Sequence, residues 1–335
     1  MTETKKVKRR WLIPVMIVTA FLLLLLAARE YFRLPVLDYY RTSEKSFRIP
    51  GLDDGFVPQG LSYDADANLF FVAGYQKDGS ASPVYTVSLT DGTVNRTQLL
   101  NADGTSFTGH AGGLSVHGEY VYIAGGDDNC VYVFSHSDIL SASEEGVPCL
   151  GSFETALPDD DGINVAFTAV HDGKLIVGEF YREQNYPTPE SHKITTSSGD
   201  YNTALALAYE FTDDTDNRFG LAAAPCAAYS LPGLVQGMCF YGGTAYLSTS
   251  YGLAFSHIYA YDTSALAPQG TIADVPLYAM DSASLIDTLK FPPMSEEIEV
   301  LDGWLYTMCE SASQKYLFGK LTGGAWCYAT PLTDY

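Results

Sequence analysis

The sequence lacks the short motifs that specify several common enzyme chemistries. It contains no Cys-x-x-Cys pair, no His-Glu-x-x-His motif, no Gly-x-Ser-x-Gly elbow, no phosphate-binding loop and no dinucleotide fingerprint. ATP- and NAD-dependent chemistry is therefore not expected, because both depend on glycine-rich loops that cradle phosphate groups. No single motif in the chain dictates a reaction.

Basic residues are scarce outside the N-terminus. Residues 1–28 carry five of the 19 Lys and Arg and one of the 40 Asp and Glu, which leaves a net charge of −25 on the rest. A domain with this charge repels nucleic acid and anionic lipid surfaces. We therefore expect no nucleic-acid partner.

Charge is also absent from the 18 residues of the segment Trp11–Ala28. About 20 apolar residues cross a bilayer as a helix. A cluster of basic residues stands immediately before this segment: Lys5, Lys6, Lys8, Arg9 and Arg10. Basic flanks stay in the cytoplasm. The sequence thus predicts a cytoplasmic segment at 1–10, a bilayer-spanning signal-anchor at 11–28, and a single-pass protein of the cell membrane with its C-terminal domain extracellular.

A cleaved signal peptide is the alternative interpretation of the same segment. Cleavage requires small residues in an Ala-x-Ala arrangement. Here Leu26-Ala27-Ala28 places leucine where a small residue is needed, and no lipid-acceptor cysteine follows. These features favour an uncleaved anchor.

Six cysteines occur, an even number that is compatible with disulfides in an oxidising compartment. Their connectivity cannot be derived from spacing, and Cys130 with Cys149 is the best candidate for a bridge. Buried free thiols are the alternative, because cysteine is among the most frequently buried residues.

Tyrosine and glycine are abundant in the remainder of the chain, with 24 Tyr and 30 Gly against 18% charged residues. Aromatic residues favour pleated sheets and glycines favour tight turns. This composition predicts an all-β domain at 46–335, joined to the anchor by a short stalk at 29–45.

A two-strand unit recurs five times in this domain. Its copies begin at Gln59, Gly112, Ala166, Gln236 and Glu296. Alternating third strands follow, the last of them at residues 315–320. Repeats of this length predict four-stranded blades and hence a β-propeller, which shields its sheet edges by radial repetition. Five blades are expected. Six is the alternative, because residues 185–202 or 263–292 could hold another blade.

Two further expectations concern ring closure and one connection. Ser46–Pro50 can form an outer strand beside Trp326–Thr330, which would place the anchor at the rim of the propeller. Met280–Leu289 is interpreted as a short helix rather than a strand.

Polar side chains recur where the repeats begin and where their second strands end. Inner strands line a propeller's channel, so these groups should converge on one ligand site. The candidate binding residues are Gln59, His110, Glu179, Gln236, Glu296, Glu297 and Glu310. Carboxylates with amide or imidazole donors could hold a hard cation, with Ca²⁺ as the candidate ion at Glu296 and Glu297. The alternative is that these groups bind channel water and cap strand ends.

The longest insertion within a repeat runs from Arg182 to Tyr201 and contains Tyr186, two prolines and His192. Long loops in compact folds are often functional. We expect this loop to form a lid or a partner surface.

The Gly-Leu hairpins at Gln59-Gly60-Leu61 and Gly113-Leu114, with the segment Glu296-Glu297-Ile298-Glu299, carry a family resemblance. The domain resembles propellers of the gluconolactonase and strictosidine-synthase-like group and of the five-bladed glutaminyl cyclases. That resemblance implies a channel site. Gly112 and Ala166 depart from the cyclase-like pattern, because neither supplies a polar group.

Two functions are compatible with these observations. The first is a tethered propeller that binds a protein, peptide or glycan through its channel face or its loops. The alternative is a metal-assisted enzyme, a lactonase-like hydrolase or glutaminyl cyclase, in which channel carboxylates hold an ion or act as general base.

Overall fold

The N-terminal helix contains a long apolar segment. The computed structural model describes residues 3–126, 128–141, 145–158, 162–213, 219–316, 319–322 and 324–332. The helix α1 spans Glu3–Arg33, and its side chains are described from Trp11 onward. Its length and apolar composition fit a helix that crosses a membrane, and they fit an N-terminal signal sequence equally well.

The segment after α1 packs against the propeller instead of forming an extended stalk. A 3-10 turn at Leu34–Val36 leads into the helix α2 (Leu37–Thr42) and the strand β1 (Glu44–Arg48). Tyr39 is buried, its ring centroid lies 4.6 Å from that of Phe291, and its hydroxyl lies 3.1 Å from Thr307 Oγ1. Burial of this side chain fixes the base of the helix to the rim.

Five antiparallel blades, each of four strands, follow in chain order. Blade 1 contains β2 (Phe56–Asp64), β3 (Leu69–Gln76), β4 (Pro83–Ser88) and β5 (Val94–Leu100). Blade 2 contains β6 (Leu114–His117), β7 (Tyr120–Ala124), β8 (Cys130–Ser135) and, after the helix α3 (His136–Ser141) and the short strand β9 (Val147–Pro148), β10 (Gly151–Glu154).

Blade 3 contains β11 (Val165–His171), β12 (Lys174–Glu179), β15 (Ala204–Glu210) and β16 (Ala227–Leu231), with a hairpin of β13 (Ile194–Thr195) and β14 (Tyr201–Asn202) in the long insertion. Blade 4 contains β17 (Val235–Tyr241), β18 (Thr244–Thr249), β19 (Ser256–Asp262) and β22 (Leu285–Phe291). Between its last two strands lie β20 (Thr271–Ile272) and β21 (Val275–Ala279).

Blade 5 closes the ring with strands from both ends of the chain. It contains β23 (Ser295–Leu301), β24 (Trp304–Cys309), β25 (Trp326–Pro331) and, as its outermost strand, β1. Pairing of Phe47 with Cys327 confirms the predicted outer strand. The Phe70 ring of blade 1 then packs against Tyr306 and Phe47 of blade 5, at centroid distances of 4.6 and 5.4 Å.

The inner strands β2, β6, β11, β17 and β23 contact one another in a closed ring around the channel. The prediction of a five-bladed, all-β propeller is therefore confirmed. Neither segment considered for a sixth blade forms one: β13 and β14 make a small separate hairpin, while β20 and β21 extend the sheet of blade 3 through the parallel pairing of β16 with β21.

Two local predictions were wrong. Met280–Leu289 does not form a helix, because Leu285–Phe291 pairs with β19 as the outer strand of blade 4. Residues 315–320 do not form the third strand of blade 5. Gly319–Leu321 is a 3-10 turn, and residues 317 and 318 lie outside the described part of the chain. Gly319 approaches the Ser311 backbone so closely that any Cβ would collide with it, so this segment folds back on itself.

All six cysteines are free thiols. Strand register explains why the predicted Cys130–Cys149 bridge does not form. Cys130 pairs with Glu154, whereas Cys149 lies beside Val133, three residues further along β8. That separation is roughly 10 Å at the rise of a strand, and a disulfide requires Cα atoms within about 7 Å.

Candidate functional site

A cavity of about 320 Å³ opens at the end of the channel where the five inner strands begin, which we call the amino-terminal mouth. Five of the seven predicted binding residues line it: Gln59, His110, Gln236, Glu296 and Glu310. They converge because equivalent positions of the repeats lie at the same level of the propeller.

A chain of hydrogen bonds forms one side of the cavity floor. His110 Nε2 donates to Gln59 Oε1 at 2.7 Å, and Gln59 Nε2 donates to Glu310 Oε2 at 3.1 Å. The Tyr316 hydroxyl donates to the other Glu310 oxygen at 2.6 Å. Burial raises the pKa of Glu310, while the donors Tyr316 and Gln59 act in the opposite direction. This network fixes the orientation of the Glu310 carboxyl group.

Glu296 lies beside this network but is not part of it. The residue is 2% exposed, and no described residue donates a hydrogen bond to its carboxyl group. Burial and the negative charge of Glu310 raise the pKa of Glu296 well above its ordinary value. Both carboxyl groups therefore favour their protonated forms, and Glu296 retains bonding capacity for a ligand.

Aromatic side chains form the walls of the cavity: Tyr75, Phe180, Tyr186, Tyr251 and Tyr316. The Tyr251 ring is held from one side by Arg182, whose guanidinium lies 3.9 Å from its centroid, and Asn185 Nδ2 bonds its hydroxyl at 3.3 Å. Both of these residues belong to the long insertion, whose Tyr186 also lines the cavity. The insertion thus contributes part of the wall.

Glu297 lies inside the channel, where its carboxyl group accepts hydrogen bonds from the backbone. Its Oε2 accepts backbone N–H bonds from Leu61 at 2.6 Å and Leu114 at 2.9 Å, and its Oε1 accepts one from Thr168 at 3.3 Å. Burial raises its pKa, and the three donors act in the opposite direction. Its carboxyl oxygens are occupied by three inner strands, so Glu297 does not line the cavity with Glu296.

Backbone irregularities explain why these N–H groups are available. The inner strands carry bulges at Pro58–Leu61, Val165–Phe167 and Ser295–Ile298, which interrupt ladder pairing at the same level of the channel. Glycine allows the strands to approach: a Cβ on Gly113 would lie 2.5 Å from Phe167 Cα. Glu297 occupies the repeat position that is glycine in blades 1, 2 and 4, and it packs directly against the glycine of blade 4, where a Cβ on Gly237 would lie 3.2 Å from Glu297 Cγ.

Glu179 is the second predicted site residue that does not line the cavity. It is 1% exposed, and its oxygens accept hydrogen bonds from His192 Nδ1 at 2.9 and 3.1 Å and from the Leu205 N–H at 2.9 Å. His192 is itself fully buried. The pair fastens the long insertion to blade 3, which positions Tyr186 at the cavity.

The aromatic wall was missed by the sequence analysis, although a signal for it exists. All of these residues lie at the end of the second strand of a repeat: Tyr75 is the penultimate residue of β3, whereas Phe180, Tyr251 and, in blade 5, Glu310 follow their strands by one or two positions. Aligning the residues at the ends of those strands would have identified them. Lys315 and Tyr316 had no such signal, because they lie in the segment interpreted as a strand.

The residues present fit a calcium ion poorly. Calcium takes six to eight oxygen ligands. Within the described ranges, no group of three or more His, Cys, Asp or Glu side chains is placed to hold a metal ion. Glu296 and Glu297 also have different surroundings, since the Glu297 oxygens already accept three N–H bonds.

Comparison with known proteins finds similarity only at the level of the fold. No protein-family model matches the chain, and no curated protein matches its sequence. Among solved structures, the glutaminyl cyclase of Myxococcus xanthus is 13% identical with a TM-score of 0.41, covering 83% of this chain and 90% of that one.

Two further structures are similar to the same degree. A nidogen/laminin complex is 12% identical with a TM-score of 0.38, covering 76% of this chain and 73% of that one. The hydrazine synthase of Kuenenia stuttgartiensis is 10% identical with a TM-score of 0.41, covering 76% and 80%. This is a general propeller resemblance.

Proposed function

We propose that this chain is a membrane-tethered binding module whose amino-terminal mouth holds a polar group presented by a protein, peptide or glycan. The apolar helix contacts the lipid bilayer through residues 11–28, with residues 1–10 in the cytoplasm and the propeller outside the cell. The observation that carries the proposal is a cavity with an ordered polar floor and aromatic walls.

A polar floor combined with aromatic walls is suited to the recognition of a ligand. Tyrosine rings supply a large, stiff contact area with little loss of conformational entropy, while a few fixed polar groups orient the ligand. The side chains of Tyr186 and Tyr251 are 42% and 37% exposed, so their ring surfaces are open to a ligand from solution. An exposed aromatic edge above a polar floor supports binding from solution.

The test uses the full-length chain in lipid nanodiscs, screened against peptide and glycan arrays. Tyr251→Ala should lower the affinity for any ligand of the cavity by about tenfold or more, because the substitution removes one of the aromatic walls. Tyr241→Ala is the matched control, since Tyr241 is 39% exposed but lies at the opposite end of blade 4. Absence of any ligand, or equal losses in the two variants, would overturn the proposal.

An acid–base enzyme is the second candidate, supported by the Glu296–Glu310 pair. Two neighbouring carboxyl groups with raised pKa values can divide into a proton donor and a proton acceptor. A lactonase-like hydrolase or a glutaminyl cyclase would use such a pair. Turnover of lactones or of peptides with N-terminal glutamine, abolished in both Glu296→Gln and Glu310→Gln, would support it.

The Ca²⁺ ion stays a prediction that elemental analysis can test. An ion that binds only the folded state raises the melting temperature, and the rise increases with the concentration of the free ion. Stoichiometric calcium that disappears in Glu296→Gln would establish the ion despite the poor fit of its surroundings. Purified protein without calcium, and with the same melting temperature in Ca²⁺ and EDTA, would exclude it.

A further inference from the structure

The chain places one of its own cations over the cavity. Lys315 Nζ lies 4.9 Å from the ring centroid of Tyr75 and 5.3 Å from that of Tyr316, and it donates a hydrogen bond to the Tyr75 hydroxyl. Ammonium groups are attracted to aromatic faces at these distances. The lysine is therefore seated between two walls of the site.

Both floor carboxyl groups interact with this ammonium. Its positive charge lowers the pKa of Glu296 and of Glu310, against the effect of burial. The site thus offers two aromatic faces and two acidic groups to one monovalent cation. These are the elements by which proteins recognise ammonium ligands.

The lysine does not use all of this bonding capacity. No described residue, Lys315 included, donates a hydrogen bond to the Glu296 carboxyl group, although Glu296 is 2% exposed and lines the cavity. Lys315 itself is exposed, so its side chain can leave without uncovering any core. A competing cation that reaches Glu296 would gain a bond that Lys315 does not make.

Resting on the proposed binding function, we infer that the ligand carries an organic monovalent cation, an ammonium or guanidinium group, which enters by displacing Lys315. The lysine then acts as a tethered competitor that sets the affinity of the site. The net charge of −25 beyond residue 28 supports the same class of ligand, because it raises the local concentration of cations around the domain.

The test supplies the lysine side chain as a free molecule. Full-length Lys315→Ala protein in nanodiscs is titrated with n-butylammonium, which reproduces the end of a lysine side chain, and the melting temperature is followed. Half-saturation should occur at a concentration about tenfold lower than in the wild type, because a tethered group competes at an effective concentration in the millimolar range. Lys315→Gln should behave like Lys315→Ala.

Three controls decide the interpretation. Lys174→Ala removes a lysine that pairs with Asp172 at the far end of blade 3 and should respond as the wild type does. The neutral molecule n-butanol should not stabilise Lys315→Ala. Adding Glu296→Gln to Lys315→Ala should abolish the response to n-butylammonium.

Equal responses in the wild type and Lys315→Ala, or equal effects of n-butanol and n-butylammonium, would overturn the inference. If an array ligand depends on Tyr251 while n-butylammonium has no effect, the cation assignment fails and the binding function stands. If no ligand depends on Tyr251 and n-butylammonium has no effect, both fail.

Discussion

Two adjacent glutamates of β23 face different regions of the molecule, Glu296 the cavity floor and Glu297 the interior of the channel, and they differ in what they can bind. Glu297 accepts three backbone hydrogen bonds from three blades. Glu296, one residue earlier, faces the cavity and accepts none from the described residues. Both are buried, so burial alone does not distinguish a structural carboxyl group from one available to a ligand. The number of donors already bound does.

The largest effect is expected from Glu297→Ala. It leaves the N–H groups of Leu61, Leu114 and Thr168 without an acceptor inside the channel, and each unsatisfied buried donor costs about 1–3 kcal/mol. The free energy of unfolding should fall by at least about 3 kcal/mol, measured by guanidinium unfolding followed by tryptophan fluorescence. Glu296→Ala, which removes an equally buried carboxyl group, should cost far less. Equal costs would refute the contrast.

The second prediction concerns Glu299, next on the same face of β23. Burial raises its pKa to about 7 from an ordinary 4.5, although the Val300 and Tyr63 N–H groups bond it at 2.9 and 3.1 Å. Between these values the folded state holds a proton that the unfolded state has lost, so stability falls as pH rises from about 5 to 8.

Glu299→Gln should remove about 2 kcal/mol of that decline. The free energy of unfolding, measured at pH 5 and pH 8 for both proteins, provides the check. Part of the fall in stability with rising pH should persist in the variant, because burial also raises the pKa of Glu296, Glu297 and Glu310. If the free energy of unfolding of the variant falls between pH 5 and pH 8 by as much as that of the wild type, Glu299 does not titrate in this range.

Glu296→Gln should have a smaller effect of the opposite sign to Glu297→Ala. Ionisation of the wild-type Glu296 would place a negative charge beside Glu310 in a buried site, so the variant should gain stability relative to the wild type as pH rises. The difference should narrow as pH falls, because protonation removes that charge from the wild type. Destabilisation at both pH 5 and pH 8 would mean that Glu296 has a structural role like that of Glu297.

The smallest effect is expected from Tyr316→Phe. It removes one hydroxyl donor to Glu310 and should cost less than about 1 kcal/mol. Because that hydrogen bond lowers the pKa of Glu310, the pKa should rise in the variant, as observed by carbon-13 NMR of the glutamate carboxyl groups. Tyr259→Phe, in blade 4, is the control and should leave the titration unchanged. An unaltered Glu310 titration in Tyr316→Phe would contradict the network.

Features encoded locally were predicted well. The strand repeats and the five blades follow from alternating patterns and turn signals, and the outer strand predicted at Ser46–Pro50 beside Trp326–Thr330 is present as the pairing of β1 with β25. Predictions failed where local pattern and tertiary pairing disagree. Leu285–Phe291 lacks a clear strand pattern and becomes a strand because β19 offers it an edge. Residues 315–320 have a strand-like pattern, but the edge of β24 is taken by β25.

By itself, the sequence determined the apolar helix, the number of blades and the level at which polar side chains meet, because each depends on periodicity within a few dozen residues. Only the tertiary structure decided the roles of Glu296 and Glu297. The donors to Glu297 stand 236, 183 and 129 residues away along the chain. Local sequence carries no signal for them, since ring closure alone brings those bulged strands around one carboxyl group.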